Sequence, residues 1–249
     1  YQSIKTGNSK IVIAGGQESM SLAPHAINLR EGKKLGNAEI IDTMIRDGLW
    51  DAFHGYHMGI TAENVAEKFQ ITREEQDKFS LKSQEKAHLA QSQGKFKSEI
   101  INLKIKSKKA ETSFNKDEHP REGISIDALS RLKPVFKKDG SVTAGNASGL
   151  NDGAAAVTLM NSEEANKRNI EKLVSIKSWA SCGVDPALMG TGPIPSSKKA
   201  IELAGWNMKD IDLFEINEAF AAQSLAVIKT LSIPEEKVNV NGGAIALGH

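Results

Sequence analysis

Two side chains that could take part in chemistry stand where the chain changes its character. Asn217 follows an apolar stretch, residues 213–216, and precedes a run with helical character, so it lies at the carboxyl end of a predicted strand. Open α/β sheets place their ligands at that end of the strands. Asn is also a preferred helix N-cap, so a structural role as a cap stays open as the alternative.

His249 comes after a predicted strand, residues 238–241, and a stretch that contains Gly242, Gly243 and Gly248. Glycines let the backbone approach a neighbouring group closely. The stretch is therefore suited to bring main chain close to another group and then to present an imidazole. A single His is usually structural, and the glycines keep a functional role open beside that interpretation.

Two further segments combine small residues with polar groups. Residues 142–153 are dense in small side chains, which would let a ligand lie against the main chain, although a turn-rich connection has the same composition. Residues 55–59 place an imidazole and a thioether, from His57 and Met58, between two glycines. Taken alone, this second segment would be a loop with a packed Met.

The composition excludes several classes of partner. The 249 residues are 39% hydrophobic and 25% charged, and the formal net charge is +1. These values are ordinary for a soluble chain and provide no bulk field to attract nucleic acid or a membrane surface. No stretch approaches the roughly 20 apolar residues that span a bilayer. The sequence also contains no P-loop, dinucleotide fingerprint or metal-ligand cluster, so we expect no metal and neither a nucleic-acid nor a membrane partner.

The single cysteine, Cys182, rules out an internal disulfide and fits a reducing compartment. The first residues lack the apolar region of a signal peptide, and we therefore expect a cytoplasmic protein. The chain begins with Tyr1 rather than Met and stops on the loop that carries His249. We expect both ends to be truncations.

The pattern of apolar residues predicts alternating strands and helices, which indicates an α/β fold with a mixed or parallel sheet. Thr72 and Glu75 have the spacing of a capping box at the start of a long helix. The basic residues 104–109 fit a solvated edge or a phosphate site. Strands are predicted at residues 10–14, 154–160, 173–179, 212–216 and 238–241. The strands at residues 10–14 and 154–160 are expected to be buried. Helices are predicted at residues 61–69, 72–93, 196–204 and 218–231.

Six ordered motifs together resemble the thiolase family. The most specific are Asn-Glu-Ala-Phe at residues 217–220 and the Asn-Gly-Gly-Ala-Ile-Ala-Leu-Gly-His string that ends at His249. The resemblance runs continuously from Tyr1 to His249. The other matching strings are residues 14–20, 55–59, 143–153 and 189–193.

The resemblance implies stacked α/β/α/β/α layers, incomplete here, with an inserted α+β loop domain that binds coenzyme A. The implied division of the chain follows that fold. It comprises the end of the N-terminal half (residues 1–19), the loop domain (residues 20–145), a return to the N-terminal half (residues 146–168) and a truncated C-terminal half (residues 169–249).

The implied activity is that of an acetyl-CoA C-acetyltransferase. Such an enzyme condenses two acetyl-CoA molecules to acetoacetyl-CoA and CoA, or reverses that reaction, through an acetyl-cysteine intermediate. Coenzyme A thioesters are substrates, and no cofactor is implied. The Met at position 189 resembles the short-chain biosynthetic branch, although apolar pockets discriminate only about 1–3 kcal/mol per methylene. The family also implies a homo-oligomer, a dimer or a tetramer.

The resemblance assigns roles to individual residues of this chain. His249 matches the catalytic His that helps to form the nucleophilic thiolate and donates to the thioester oxygen, and Asn217 matches the Asn that holds a water as the second donor. Met189 and Phe220 would line the acyl pocket. Arg121 would lie near the adenine, although a solvated surface charge is the alternative. The substrate-binding residues that the resemblance implies are Leu49, His57, Met58, Arg121, Phe136, Ala144, Ser148, Leu150, Met189, Ala219 and Phe220.

The chain departs from the family pattern in its cysteines. The nucleophilic cysteine of the family lies in a segment that would precede Tyr1, and the base cysteine lies in a motif that would follow His249. Cys182 matches neither motif, so we expect a packed thiol there and no complete reaction cycle from these residues alone. A catalytically inactive CoA-binding fragment or subunit is therefore the alternative. A condensing enzyme for carrier-protein thioesters fits poorly, because such relatives generally lack the long loop domain.

Overall fold

The computed structural model describes residues 1–106 and 110–249. Part of the basic segment, residues 107–109, lies outside the described residues. The helices are α1 (Gln2–Lys5), α2 (Met58–Lys68), α3 (Arg73–Ser92), α4 (Ile126–Ser130), α5 (Ser162–Lys167), α6 (Pro193–Ala204), α7 (Ala221–Leu231) and α8 (Ala244–Leu247). The strands are β1 (Ile11–Ser19), β2 (His25–Ala26), β3 (Ile41–Asp42), β4 (Trp50–Asp51), β5 (Tyr56–His57), β6 (Leu103–Lys106), β7 (Glu111–Phe114) and β8 (Asp152–Met160).

The chain forms two compact units. One comprises Tyr1–Met44 and Leu150–Trp179, and the other comprises Ile45–Gly149 and Ala180–His249. The four-part division implied by the resemblance follows the two halves and the loop domain of the thiolase fold, and it stays a prediction.

The first unit is organised by one antiparallel ladder between β1 and β8, which pairs Ile11 with Met160 at one end and Ser19 with Asp152 at the other. The strands predicted in these two places are confirmed. The expectation that they are buried is wrong, because Ile13 is 77% exposed. A ladder of two strands supplies no second layer, so pairing alone covers neither of its faces.

The strand predicted at residues 173–179 is wrong. The structure has no regular secondary structure there, and Leu173 and Val174 are exposed. Apolar character favours a strand only when a partner supplies hydrogen bonds for its backbone. Within the described residues, no ladder includes this segment.

The second unit is built around α7, whose sequence is apolar on most of its circumference and is therefore suited to burial on all sides. Val227, Ile228 and Leu231 pack with Ile233 and Val238 in one cluster. A second cluster contains Val65, Ile71, Leu225 and Ala226, from α2, α7 and the segment between α2 and α3. Full burial of a Val, Leu or Ile side chain contributes about 1.5–3 kcal/mol, so these clusters fix α7 against its neighbours.

The long helix α3 begins as predicted. The Thr72 hydroxyl accepts a hydrogen bond from the Glu75 N–H, and the Glu75 carboxylate accepts one from the Thr72 N–H, so the capping box is confirmed. Lys229 on α7 donates to Glu75 at 2.6 Å. This ammonium and the Thr72 N–H lower the pKa of Glu75 below its usual value.

The two strands predicted around residues 214 and 239 reduce to one parallel bridge between Phe214 and Val238. Beyond this bridge, the Asn239 side chain replaces the next pair of backbone hydrogen bonds. Its Oδ1 accepts from the Ile216 N–H, and its Nδ2 donates to the Ile216 carbonyl, both at 2.8 Å. Because a side chain satisfies these backbone groups, the ladder ends there, and the segments leading to Asn217 and to α8 are held side by side.

Candidate active site

Asn217 and His249 lie in contact. The Nδ2 atom of Asn217 is 3.1 Å from the Nε2 atom of His249, although 32 positions separate them in the chain. Helix α7 begins at Ala221 with Phe220 as its N-cap residue. The interpretation of Asn217 as a helix cap is therefore wrong, and its amide is directed to the imidazole.

The atoms in this contact favour one tautomer of the His249 ring. An amide nitrogen can donate hydrogen bonds and cannot accept them, so with the Asn217 amide in this orientation a neutral ring accepts through Nε2 and has its proton on Nδ1. An amide nitrogen carries two hydrogens, and the contact with His249 uses one of them. The pair thus offers a donor amide and an imidazole within a few ångströms of each other at an exposed position.

The loop before His249 is shaped by its glycines. Gly242 has a φ of +86°, and a Cβ there would lie 2.6 Å from Ala87 Cβ on α3, so glycine is needed both for conformation and for space. Gly248 has a φ of +107° and turns the chain after α8. The sequence interpretation of a close backbone approach is thus confirmed for this loop, and the group approached is α3.

A buried carboxylate that the sequence analysis left without a role directly follows Asn217 in the chain. Glu218 is 1% exposed, and its carboxylate accepts from the Ser83 hydroxyl at 2.7 Å, the Asn239 amide at 2.7 Å and the Ile245 N–H at 3.1 Å. A Cβ at Gly243 would overlap this carboxylate. The available signal was an acidic residue inside an otherwise apolar stretch, where a solvated face is not expected.

Lys86 contributes a half-buried charge that interacts with Glu218. Its ammonium donates to the Val238 carbonyl at 2.7 Å. Burial lowers the pKa of Lys86, whereas the negative charge of Glu218 raises it. The opposite charges of Glu218 and Lys86 thus partly compensate each other within the second unit.

Three ring systems predicted to bind substrate lie together. The His57 and Phe136 rings stack with centroids 4.6 Å apart, and Phe136 meets Phe220 edge to face at 6.4 Å. His57 Nδ1 accepts a hydrogen bond from the Gly59 N–H at 3.0 Å, and burial lowers the pKa of His57. A neutral imidazole in an aromatic stack suits contact with an apolar chain.

The small-residue loop joins this aromatic group through the start of α7. The Ser148 N–H donates to the Ala219 carbonyl at 3.0 Å, the Ser148 hydroxyl donates to the same carbonyl at 3.2 Å, and Ala147 bridges Phe220. The loop is supported by Asn146, which is fully buried. Two of the predicted substrate residues, Ser148 and Ala219, are therefore in direct contact.

Asn146 holds this loop through three hydrogen bonds. Its Oδ1 accepts from the Thr143 N–H at 2.7 Å, and its Nδ2 donates to Asp77 and to the Ser141 carbonyl, both at 3.0 Å. Arg73 pairs with Asp77 at 2.7 Å. This arrangement was missed by the sequence analysis, because nothing in the local spacing joins α3 to the loop.

The remaining predicted residues are more dispersed. The Arg121 side chain is exposed, and its backbone N–H donates to Gln84 at 2.9 Å. Met189 is 41% exposed, and Leu150 is exposed and belongs to the first unit. Ala144 is exposed, Leu49 is half-buried at the end of the π-helical turn Met44–Leu49, and Met58 is half-buried at the first position of α2.

The described residues lack two other kinds of feature, a metal cluster and a membrane-spanning helix. No group of three or more His, Cys, Asp or Glu side chains in residues 1–106 and 110–249 is arranged to hold a metal ion. Over the same residues, no helix has both the length and the apolar character needed to cross a bilayer. Cys182 is a free, half-buried thiol.

The family model described as the N-terminal domain of thiolase matches residues 1–163, and the model of the C-terminal domain matches residues 170–249. The chain belongs to the thiolase family, as the motifs predicted. It is 58% identical to an acetyl-CoA acetyltransferase of Rhizobium meliloti (strain 1021) and 54% identical to a cytosolic acetyl-CoA acetyltransferase of Rattus norvegicus. Each alignment covers 100% of this chain, which spans 63% of the length of each relative.

Solved structures agree on the fold. An acetyl-CoA acetyltransferase of Bacillus anthracis is 48% identical, with a TM-score of 0.93 over 99% of this chain and 63% of that chain. Human mitochondrial 3-ketoacyl-CoA thiolase is 44% identical, with a TM-score of 0.94 over 100% of this chain and 63% of that chain. The predicted thiolase-like α/β fold is confirmed.

Proposed function

We propose that this chain works as part of an acetyl-CoA C-acetyltransferase, which condenses two acetyl-CoA molecules to acetoacetyl-CoA and CoA and catalyses the reverse thiolysis. The observation that carries the proposal is the contact between Asn217 and His249. Claisen chemistry develops negative charge on a thioester oxygen, and preorganised N–H donors stabilise such charge. Removal of one such donor costs about 3–4 kcal/mol in transition-state stabilisation.

In this proposal, His249 and Asn217 bind one oxygen together. The thioester oxygen replaces Asn217 as the partner of His249, and Nε2 then donates, which requires its proton to move from Nδ1 to Nε2. The Asn217 amide holds a water that supplies the second hydrogen bond. Both groups are exposed, so substrate and water can reach them.

Binding of the pantetheine part is assigned to the aromatic stack and the small-residue loop. His57, Phe136 and Phe220 provide flat apolar surface, and the loop at Ser148 provides backbone that a narrow chain can approach. Met58, Ala144 and Leu49 are proposed to extend this surface, with Arg121 near the adenine, and Leu150 stays a prediction from the resemblance. Met189 and Phe220 are proposed to limit the acyl pocket to acetyl and acetoacetyl groups, with Ala219 among the substrate-binding residues.

The covalent step needs a thiolate that we assign to a cysteine outside residues 1–249. Cys182 is the single thiol in these residues and is not in a motif that fits the role. The 249 residues alone are therefore proposed to bind CoA without turning it over. We also propose a cytoplasmic location, in line with the cytosolic relative, and a homo-oligomer of two or four subunits, with no cofactor.

The test is to express the whole reading frame that contains this chain and to measure acetoacetyl-CoA thiolysis. We expect CoA-dependent loss of acetoacetyl-CoA with acetyl-CoA as the product. Residues 1–249 alone serve as the control and should bind CoA in calorimetry with no turnover. A whole reading frame that folds and consumes no acetoacetyl-CoA in the presence of CoA would sink the proposal. Light scattering of the same protein measures the oligomeric state.

A further inference from the structure

Glu218 connects three separate segments of the second unit. Its carboxylate accepts hydrogen bonds from Ser83 on α3, from Asn239 in the bridge region and from the Ile245 N–H at the start of α8. Isolation of a carboxylate from water is strongly unfavourable unless donors replace the lost hydration. Three donors at 2.7–3.1 Å replace it here, and charge-assisted hydrogen bonds of this kind are the stronger ones.

The same carboxylate is linked through the backbone to both members of the Asn217 and His249 pair. Glu218 follows Asn217 directly in the chain, so fixing one restrains the other. On the opposite side, Glu218 holds Ile245, and α8 ends at Leu247, two residues before His249. One buried group therefore restrains the backbone that carries the amide and the short helix that precedes the imidazole.

Neighbouring contacts support the same arrangement. The Gly243 N–H donates to Ser83 at 3.1 Å, and Gln84 donates to the Ile245 carbonyl at 3.3 Å. Two adjacent side chains of α3, Ser83 and Gln84, therefore form hydrogen bonds to the start of α8. Glu218 also follows Asn217 directly in the chain, so it links this network to the segment that carries Asn217.

We propose that Glu218 is the positioning residue of the Asn217 and His249 pair, because its buried carboxylate joins the segments that carry the two side chains. The catalytic meaning of this positioning rests on the proposed function, whereas the geometry does not. Glu218 touches no reacting atom in this proposal and acts through the two residues that do.

The network requires a carboxylate rather than an amide. Oε1 accepts from Asn239 Nδ2, and Oε2 accepts from the Ser83 hydroxyl and the Ile245 N–H. In a Glu218→Gln variant, an NH₂ group at the first position would face the Asn239 NH₂, and at the second it would face the Ile245 N–H. Asn239 cannot turn to resolve the conflict without losing both of its hydrogen bonds to Ile216.

The experiment uses ¹⁵N-labelled 249-residue chain and observes the His249 ring by NMR, with a His249→Gln variant for assignment. Wild-type chain should show a cross-peak between the Asn217 amide and the His249 ring and a single ring tautomer. In Glu218→Gln we expect loss of that cross-peak and a tautomer ratio that shifts to the value in urea-unfolded chain. A role in stability alone would leave both signals unchanged in the folded fraction.

Glu215→Gln is the matched control. It makes the same chemical change three residues earlier, at an exposed carboxylate whose charge interacts with Glu218 but which has no hydrogen bond to this network among the described contacts. It should retain both signals. A folded Glu218→Gln variant that keeps the cross-peak and the tautomer of wild-type chain would overturn the proposal.

Ser83→Ala covers the case in which Glu218→Gln does not fold, because it removes one donor and keeps the carboxylate. We expect at least a twofold weaker cross-peak, and an unchanged cross-peak would overturn the proposal. Since these measurements need no substrate, they are separable from the proposed function. If the whole protein is inactive but Glu218→Gln loses the Asn217–His249 cross-peak, only the proposed function is refuted. If the whole protein is active and Glu218→Gln keeps that cross-peak, only the positioning role is refuted.

Discussion

The imidazole of His57 lies face to face with the ring of Phe136, with centroids 4.6 Å apart and an angle of 23° between the planes. This stack depends on Gly59, since a Cβ there would overlap three atoms of the Phe136 ring. Gly59 lies two residues after His57 and also donates its N–H to that imidazole. One glycine therefore sets both the position and the hydrogen bond of the stacked His.

Gly59→Ala should destabilise the chain, although Ala is normally the better helix residue by about 1 kcal/mol. Overpacking of a filled site costs about 1–3 kcal/mol, and here the displaced group is a ring held on two sides. Urea unfolding followed by circular dichroism measures the change. Gly48→Ala is the control, because a Cβ at Gly48 meets open space. Equal midpoints for the two variants would contradict the packing argument.

His57 should make folding pH-dependent. Burial lowers its pKa below 6.5 in the folded chain, so between the folded value and 6.5 the unfolded chain binds more protons. The free energy of unfolding should therefore fall as pH is lowered through this window and be independent of His57 above it. NMR titration of the ring, assigned with His57→Gln, should give a midpoint below 6.5 in folded chain and near 6.5 in urea. A folded midpoint at or above 6.5 would rule this out.

Asn217 should select the tautomer of His249. With an amide NH₂ as its partner, Nε2 is an acceptor, so ¹⁵N shifts should show the proton on Nδ1 in free wild-type chain. In Asn217→Asp the partner becomes an acceptor, and the proton should move to Nε2. Observation of Nε2–H in wild-type chain would mean that the Asn217 amide presents its oxygen to the ring.

Turnover in the whole protein should depend on both members of this pair. Asn217→Ala and His249→Ala should each lower kcat by about 10²–10³-fold, the range for loss of one oxyanion donor, with a smaller change in CoA affinity by calorimetry. Asn207→Ala is the control, because that side chain caps a distant 3₁₀ turn at Asp210. A kcat within twofold of wild type for His249→Ala would remove it from the mechanism.

Asn146 should tolerate Ala better than Asp. Asn146→Ala leaves buried partners unsatisfied, at about 1–3 kcal/mol. Asn146→Asp puts a carboxylate oxygen against Asp77 and the Ser141 carbonyl, and an uncompensated buried charge costs about 3–5 kcal/mol. Chemical denaturation gives the order, with Asn166→Asp on exposed α5 as the control. A smaller loss for Asp than for Ala would contradict the assigned hydrogen bonds.

The sequence allowed prediction of features that depend on local spacing. The capping box at Thr72 and the end of α6 at Gly205, which has a φ of +71°, are confirmed because neighbouring residues determine them. The close backbone approach before His249 is confirmed for the same reason, since Gly242 can occupy a φ that other residues avoid.

Features that depend on distant partners could not be read from the chain in this way. Residues 173–179 have strand composition and no partner among the described ladders. Glu218 gains its role from Ser83, 135 positions away, and Asn146 gains its role from Asp77, 69 positions away. The resemblance indicated Asn217 and His249, whereas the side chains that support them became visible only in three dimensions.

The side chain of Asn239 has a consequence for alignment of the two segments that meet at Phe214. A backbone ladder can slide by one residue and form similar hydrogen bonds, with every side chain turned to the opposite face. Asn239 binds both the N–H and the carbonyl of Ile216. A shift of one residue would place a different peptide unit opposite the Asn239 amide and would break its hydrogen bond to Glu218. A single side chain thus acts as a register pin, and it determines that the residue after Ile216, rather than its neighbour, faces His249.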